Sequence, residues 1–416
     1  MSLNRPIIFG TTRFPPETRS GVETMGMGLV EGLSAAGQQV VVVTSGAQRE
    51  TSILPGGAQV HRFSAAARQQ RFWMIGSILT LLHGRRITHV VKRPAAVICS
   101  SPQYVPWARA GFSNVPVLFI CHGLSKVSSK IEPYVAPIST WRIAAQIRFA
   151  DKIRYIQELM AYRLAHRVIA LSEGVRADLM SIAAVPAKKI VVIPNGVDRQ
   201  FLDSQGPDRD PRDELRVLFV GRLSQVKNVM YLLEALRRLP QSPAWKCRIV
   251  GDGVERRALE QFALEKGLSR QVTFTGWSAN VGQDLAWGNV FVNPSRWEGC
   301  SMAVLEAMAC GLPCLVPRPD GQESRADYTG IIEAGRNGVL IDGRDPSTLA
   351  EALRVLAQDG ATRLAMGQES RRIASERFAW DVIARQYLDV IQAVSCELGH
   401  RLFTGRHGSG SCGDTE

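Results

Sequence analysis

The chain of 416 residues holds no apolar run of about 18 residues, the length needed to cross a bilayer. A membrane-spanning helix is therefore not expected. The opening MSLNRPIIFG also lacks the extended apolar core of a secretory signal, and the expectation is a cytoplasmic protein. Eight cysteines are scattered along the chain, and no second pair at zinc spacing follows Cys310 and Cys314. That pattern argues against a disulfide scaffold and a structural zinc, and it fits free thiols in a reducing compartment. The only Asp-x-Asp, Asp208-Arg209-Asp210, stands between two prolines, where it reads as solvated linker charge. No bound metal and no cofactor are expected. The three-glycine dinucleotide fingerprint is missing too, which leaves NAD poorly supported.

What the chain does contain is globular: 45% hydrophobic and 21% charged residues. Its net charge of +12 is unevenly placed. Residues 1–200 carry 24 Lys and Arg against 10 Asp and Glu, so the basic excess belongs to the first half. Such a surface suits an anionic partner. No nucleic-acid recognition motif accompanies the charge, and nucleic acid is not expected.

The apolar pattern alternates strand and helix twice. In the first half, strands are expected at 6–10, 39–44, 96–99, 117–121, 167–171 and 189–193, with a helix at 22–36 closed by Gly37. After a proline-rich, charged stretch at 206–212 the series restarts, with strands at 217–221, 247–250, 271–275, 290–293 and 313–316. Helices are expected at 228–239, 254–266 and 302–308. Short apolar strands bounded by polar residues suit parallel sheets buried on both faces. The fold class is thus α/β, with two doubly wound domains facing across a cleft at the C-terminal ends of their strands. The domains are read as 1–205 and 206–379, with helix 380–397 crossing back onto the first and a disordered tail at 405–416.

Candidate chemistry gathers at strand–helix junctions. In NPSRWEGCSMAVLEAMACGL, Ser301 is a good N-cap, and the amides from Cys300 onward would attract phosphate. Glu306, just over one turn in, could accept hydrogen bonds from a ribose diol. Glu298 could do the same for sugar hydroxyls. Two solvated glutamates on a capped surface helix is the competing reading. In VGRLSQVKN, Arg222 and Lys227 could neutralise a diphosphate in place of a metal, although such pairs are often solvated surface charge. In RSGVET, Gly21 allows a ligand close to the first helix, or is simply a turn. His122, in Cys121-His122-Gly123, ends a strand and could meet substrate or serve structure alone.

Taken with VIALSEGVRADL, PNGVD, IVGDGVERRALE and VTFTGW, these motifs resemble the retaining glycosyltransferase family 4 (glycosyl transferases group 1), of the GT-B fold. The resemblance runs from about residue 7 to 380. It implies that Glu298 contacts donor-sugar hydroxyls, Glu306 holds the ribose, and Arg222 and Lys227 bind the diphosphate. It places the backbone of Cys300, Ser301 and Met302 on sugar and phosphate, His122 beside the sugar, and Gly21 near phosphates and acceptor. Ser20 stands where many members have glycine, and Cys300 where an aromatic residue is common. The implied activity moves a sugar from a UDP- or GDP-sugar, with retention, to a glycan or lipid-linked acceptor in surface polysaccharide or glycolipid synthesis. A nucleotide-sugar epimerase and a non-catalytic nucleotide-sugar-binding protein are the alternatives. Residues 71–86 and 140–154 mix apolar and basic positions and could lie on an anionic membrane surface or face the core.

Overall fold

The computed structural model describes residues 5–15, 21–46, 50–64, 91–125, 141–203, 210, 212–240, 242–319 and 325–399. Ser20, residues 71–86, Asp208 with Arg209, and the tail 405–416 lie outside them.

Two sheets, parallel except for one edge strand, form the frame. The first has strands β1 (Ile7–Gly10), β2 (Val40–Gly46), β3 (Glu50–Ile53), β4 (Gln59–Ser64), β5 (Ala96–Cys99), β6 (Val117–Cys121), β7 (Arg167–Ala170) and β8 (Ile190–Val192), in the order β3-β4-β2-β1-β5-β6-β7-β8. The central strands β1, β5 and β6 are buried at every residue, as the uninterrupted apolar runs IIFG, AVIC and VLFIC require of strands covered on both faces. Helices α1 (Gly21–Ala35), α2 (Tyr104–Gly111), α3 (Trp141–Leu164) and α4 (Glu173–Ile182) connect them, and α5 (Arg199–Asp203) follows the last strand. Gly37 closes α1 with a left-handed φ of 78°.

The pair β3–β4 was not anticipated. Strand β3 runs antiparallel at the sheet edge and is almost wholly exposed, so ETSI offers no apolar run to read. The expected strand at 39–44 continues to Gly46 because β4 pairs with it along its length.

The second sheet has β9 (Leu215–Val220), β10 (Trp245–Val250), β11 (Val272–Gly276), β12 (Val290–Val292), β13 (Cys314–Pro317) and β14 (Gly338–Ile341), in the order β11-β10-β9-β12-β13-β14. Its helices are α6 (Val229–Leu236), α7 (Arg256–Glu265), α8 (Val281–Trp287), α9 (Met302–Ala309), α10 (Pro346–Gln358) and α11 (Gly360–Arg377). The helix expected at 228–239 is shorter at both ends. Asn228 is its left-handed N-cap, and Arg237 caps the far end.

The last helix, α12 (Trp380–Glu397), returns to the first sheet. Its first residue, Trp380, rests on glycines of α1: a Cβ on Gly28 would sit 2.0 Å from the indole nitrogen, and one on Gly32 would sit 2.6 Å from the Trp380 carbonyl. At the other end Glu397 pairs with Arg167 of β7. No helix among the described residues is long and apolar enough to cross a membrane. Of the segment 140–154, the backbone is helical from Trp141 onward.

Candidate active site

Strand β9 ends at Val220, and the chain turns through Gly221 to an exposed Arg222. The loop then makes a 3-10 turn, Gln225–Lys227, before the left-handed Asn228 starts α6. Lys227 therefore ends a tight turn rather than opening the helix, and its amine is directed across the sheet edge. There it pairs with Glu298, in the loop after the adjacent strand β12. The pair is mostly shielded, with side chains 22% and 12% exposed. Ser295 Oγ donates to the same Glu298 oxygen at 3.1 Å. The strand order explains the meeting. Neighbouring β9 and β12 run parallel, so both following loops leave the sheet at one edge.

Ser301 is the N-cap of α9, but its hydroxyl does not bond a helix amide. It accepts instead from Asn293 Nδ2 at 3.0 Å, which ties the two ends of the loop together. Asn195, from the segment after β8, reaches over from the first sheet. Its amide N–H donates to Cys300 Sγ at 3.4 Å and its side-chain nitrogen to the Cys300 carbonyl at 2.9 Å. The Cys300 thiol is buried and held protonated, its pKa pushed up to about 12 by desolvation.

Glu306 lies one turn further along α9. Burial, and secondarily the charge of Asp198, raise its pKa to about 7. Burial raises Asp198 as well. Asp198 ends the PNGVD segment. A carboxylate from the first half of the chain thus bears electrostatically on Glu306, which reading the residues one by one did not reveal.

The opposite wall comes from the first sheet. His122 follows β6, and its Nε2 lies 2.8 Å from Ser100 Oγ, at the end of neighbouring β5. Desolvation lowers its pKa to about 4, so the ring is neutral near pH 7. Gly123 has φ +139°, and a Cβ there would sit 2.2 Å from the Trp297 ring; one on Gly299 would sit 2.7 Å from the His122 carbonyl. The two walls touch here, and only glycine fits between them. Gly21, first residue of α1, has Met302 as its nearest neighbour, 3.9 Å from where its Cβ would be. The N-termini of α1 and α9 therefore face each other across the seam.

All nine residues singled out in the sequence lie in loops or early helix turns that follow the C-terminal ends of strands. Arg222, Lys227, Glu298, Cys300, Ser301, Met302 and Glu306 come from the second sheet's loops, and Gly21 and His122 from the first's. Partners that had not been singled out are Ser100, Asn195, Asp198, Ser295 and Trp297. Asn195, Asp198, Ser295 and Trp297 stand inside motifs already noted, whereas Ser100 has no signal beyond ending a buried strand. Among the described residues no group of three or more His, Cys, Asp or Glu is placed to hold a metal ion. Asp210 instead pairs with Arg212 at 2.5 Å.

Two family models divide the chain between them: glycosyltransferase family 4 matches residues 19–201, and glycosyl transferases group 1 matches 214–359. The chain belongs to the family 4, group 1 glycosyltransferases. An uncharacterized glycosyltransferase of Methanocaldococcus jannaschii is 24% identical over 408 residues, 91% of this chain and 96% of that protein. The Escherichia coli UDP-Gal:α-D-GlcNAc-diphosphoundecaprenol α-1,3-galactosyltransferase is 29% identical over 214 residues, 49% of this chain and 54% of that protein. Among solved structures, sucrose-phosphate synthase from Thermosynechococcus elongatus superimposes with a TM-score of 0.76 at 21% identity, covering 95% of this chain and all of that one. Anabaena HepE in complex with UDP-glucose gives 0.68 at 17% identity, covering 94% of this chain and 100% of that one. The fold is that of these GT-B enzymes: two Rossmann-like domains with their strand ends turned toward each other.

Proposed function

We propose that this glycosyltransferase moves a sugar from a UDP- or GDP-sugar, with retention of configuration and without a metal ion, to a glycan or lipid-linked acceptor in surface polysaccharide or glycolipid synthesis. One observation carries the reading. The Lys227–Glu298 pair lies beside the N-terminus of α9, with Glu306 one turn further in and the neutral His122 on the facing wall. In this reading Arg222, Lys227 and the amides of Cys300, Ser301 and Met302 take the diphosphate. Glu306 accepts from the ribose hydroxyls and Glu298 from the sugar. His122 lies beside the sugar, and Gly21 leaves room for phosphates and acceptor.

Both glutamates are then committed to binding, so neither serves as the nucleophile of a double displacement. A front-face reaction follows: the departing phosphate oxygen takes the acceptor's proton while Arg222, Lys227 and the α9 N-terminus stabilise the charge that develops on the diphosphate. The E. coli relative is named for a UDP-galactose donor and a diphosphoundecaprenol-linked acceptor, which supports the donor class and the lipid-linked option.

The test is thermal unfolding of wild type and Glu306→Ala with UDP, GDP, ADP and NAD, each in metal-free buffer. A ligand that binds only the folded state raises the melting temperature. A rise with UDP or GDP, weakened in the variant, is expected and names the base. A rise with NAD alone, or with no nucleotide, removes the assignment.

A further inference from the structure

Ser100 has no task in the chemistry proposed so far, yet it bonds a residue that does. It follows β5, whose four residues are all buried, and is itself only 6% exposed. The backbone around it is pinned twice. The Ser100 amide donates to the Gly10 carbonyl at the end of β1 at 2.8 Å, and Ser101 Oγ accepts from the Thr12 amide at 3.0 Å. From that fixed point Ser100 Oγ lies 2.8 Å from His122 Nε2. Neighbouring β5 and β6 run parallel, so both residues leave the sheet at the same edge.

A hydroxyl and an imidazole nitrogen can bond in either sense, Nε2–H to Oγ or Oγ–H to Nε2. The surroundings decide between them. The bond to His122 is the only side-chain hydrogen bond of Ser100 among the described residues. A hydroxyl that accepted there would leave its own proton buried without an acceptor, and an unpaired buried donor is costly. A hydroxyl that donates satisfies the proton and leaves only oxygen lone pairs. Desolvation keeps His122 neutral, so the ring then carries its single proton on Nδ1. Nδ1 makes no hydrogen bond among the described residues.

We infer that Ser100 is a positioning residue for His122: its hydroxyl donates to Nε2, holds the ring in the Nδ1–H tautomer and so presents a neutral N–H to a hydroxyl of the donor sugar. The last step rests on the donor-site reading above, and the tautomer does not. The Glu298 carboxylate can only accept from the sugar, so an N–H donor on the facing wall supplies the complementary bond.

The full-length chain, uniformly labelled with nitrogen-15, is examined by long-range proton–nitrogen correlation of its histidine rings. Wild type, Ser100→Ala and His122→Gln are compared, the last identifying His122 among the seven histidines. Wild-type His122 should show a protonated Nδ1 and an unprotonated Nε2. Ser100→Ala should lose that fixed pattern, both nitrogens moving toward the averaged signals of exchanging tautomers. Wild type is then melted with UDP, GDP, UDP-glucose, UDP-galactose, UDP-N-acetylglucosamine and GDP-mannose. The nucleotide sugar that stabilises it most is titrated, beside its bare nucleotide, into wild type and Ser100→Ala. Bare nucleotide should bind both equally. The nucleotide sugar should bind the variant about three-fold more weakly, a part of one neutral hydrogen bond. It should also move the wild-type Nδ1 signal further than bare nucleotide does.

A proton on Nε2 in wild type overturns the inference, and so does a pattern that survives Ser100→Ala. A changed tautomer with unchanged affinity for the nucleotide sugar overturns the positioning role. Equal weakening of nucleotide and nucleotide sugar means a general disturbance of the site and overturns it too. If wild type responds to no nucleotide, the donor-site reading falls and takes the positioning role with it, while the spectra still decide the tautomer.

Discussion

Glu306 titrates well above the ordinary carboxylate range. Its pKa of about 7 in the fold, against 4.5 as the usual value, means that the folded chain holds a proton the unfolded chain has released. Between those two pH values the folded state binds more protons, so stability contributed by this group falls as pH rises from about 4.5 to about 7 and is level above. Asp198 shifts in the same direction. Glu306→Gln should therefore gain stability over wild type at pH 8, with the gain shrinking toward pH 5 in urea melts at the two pH values. If its carboxylate accepts from ribose, UDP should bind wild type more weakly at pH 6 than at pH 8, and the Gln variant should show little of that slope by calorimetry.

Lys227 separates stability from chemistry. Lys227→Met leaves Glu298 with Ser295 and costs about 1 kcal/mol of stability. It should lower kcat/KM for the nucleotide sugar by about 10²–10³-fold, since one cation leaves the diphosphate. A loss confined to stability in the melt, with kinetics unchanged, would contradict the role.

At the scale of elements, helix α12 is held to α1 by shape. Gly28 admits the Trp380 indole and Gly32 the Trp380 carbonyl because neither has a Cβ. Gly28→Ala must displace that indole from 2.0 Å, and overpacking of this kind costs about 1–3 kcal/mol. Gly21→Ala, on the same helix, meets only Met302 at 3.9 Å, an ordinary contact, and should change stability by less than about 0.5 kcal/mol. Denaturant melts of the two variants side by side measure the contrast. A similar loss in both would contradict a special role for the Trp380 seat, because the change from Gly to Ala by itself favours a helix.

For the whole molecule, the seam is where the proposed site and the architecture coincide. The first half reaches the loop before α9 through Asn195 to Cys300, and the second half reaches α4 through Asp327 to Gly174 and Arg325 to Asp178. Each contact joins residues more than a hundred positions apart. On the proposed mechanism, cations of the chain replace a metal at the diphosphate. The melting shift with UDP should accordingly be the same in excess EDTA as in magnesium. Loss of the shift in EDTA, restored by magnesium, would contradict metal independence.

The α/β class was legible from the sequence because buried parallel strands and amphipathic helices impose different periods on apolar residues, and that constraint is local. The core strands Ala96–Cys99 and Val117–Cys121 coincide with the residues expected of them for that reason. The exposed edge strand Glu50–Ile53 and the half-buried Gly338–Ile341 were missed because their burial imposes no such pattern. Strand–helix junctions likewise marked Arg222, Glu298 and Glu306 as candidates, since loops at strand ends are where a parallel sheet leaves its backbone amides free. What those residues face was decided only in three dimensions. Lys227 pairs with Glu298 across 71 positions, Asp198 bears electrostatically on Glu306, and Trp380 fills the space over Gly28. The order of strands in the sheets and the docking of one sheet against the other set these distances. No local pattern of side chains encodes either, because each depends on surfaces that exist only once both domains have folded.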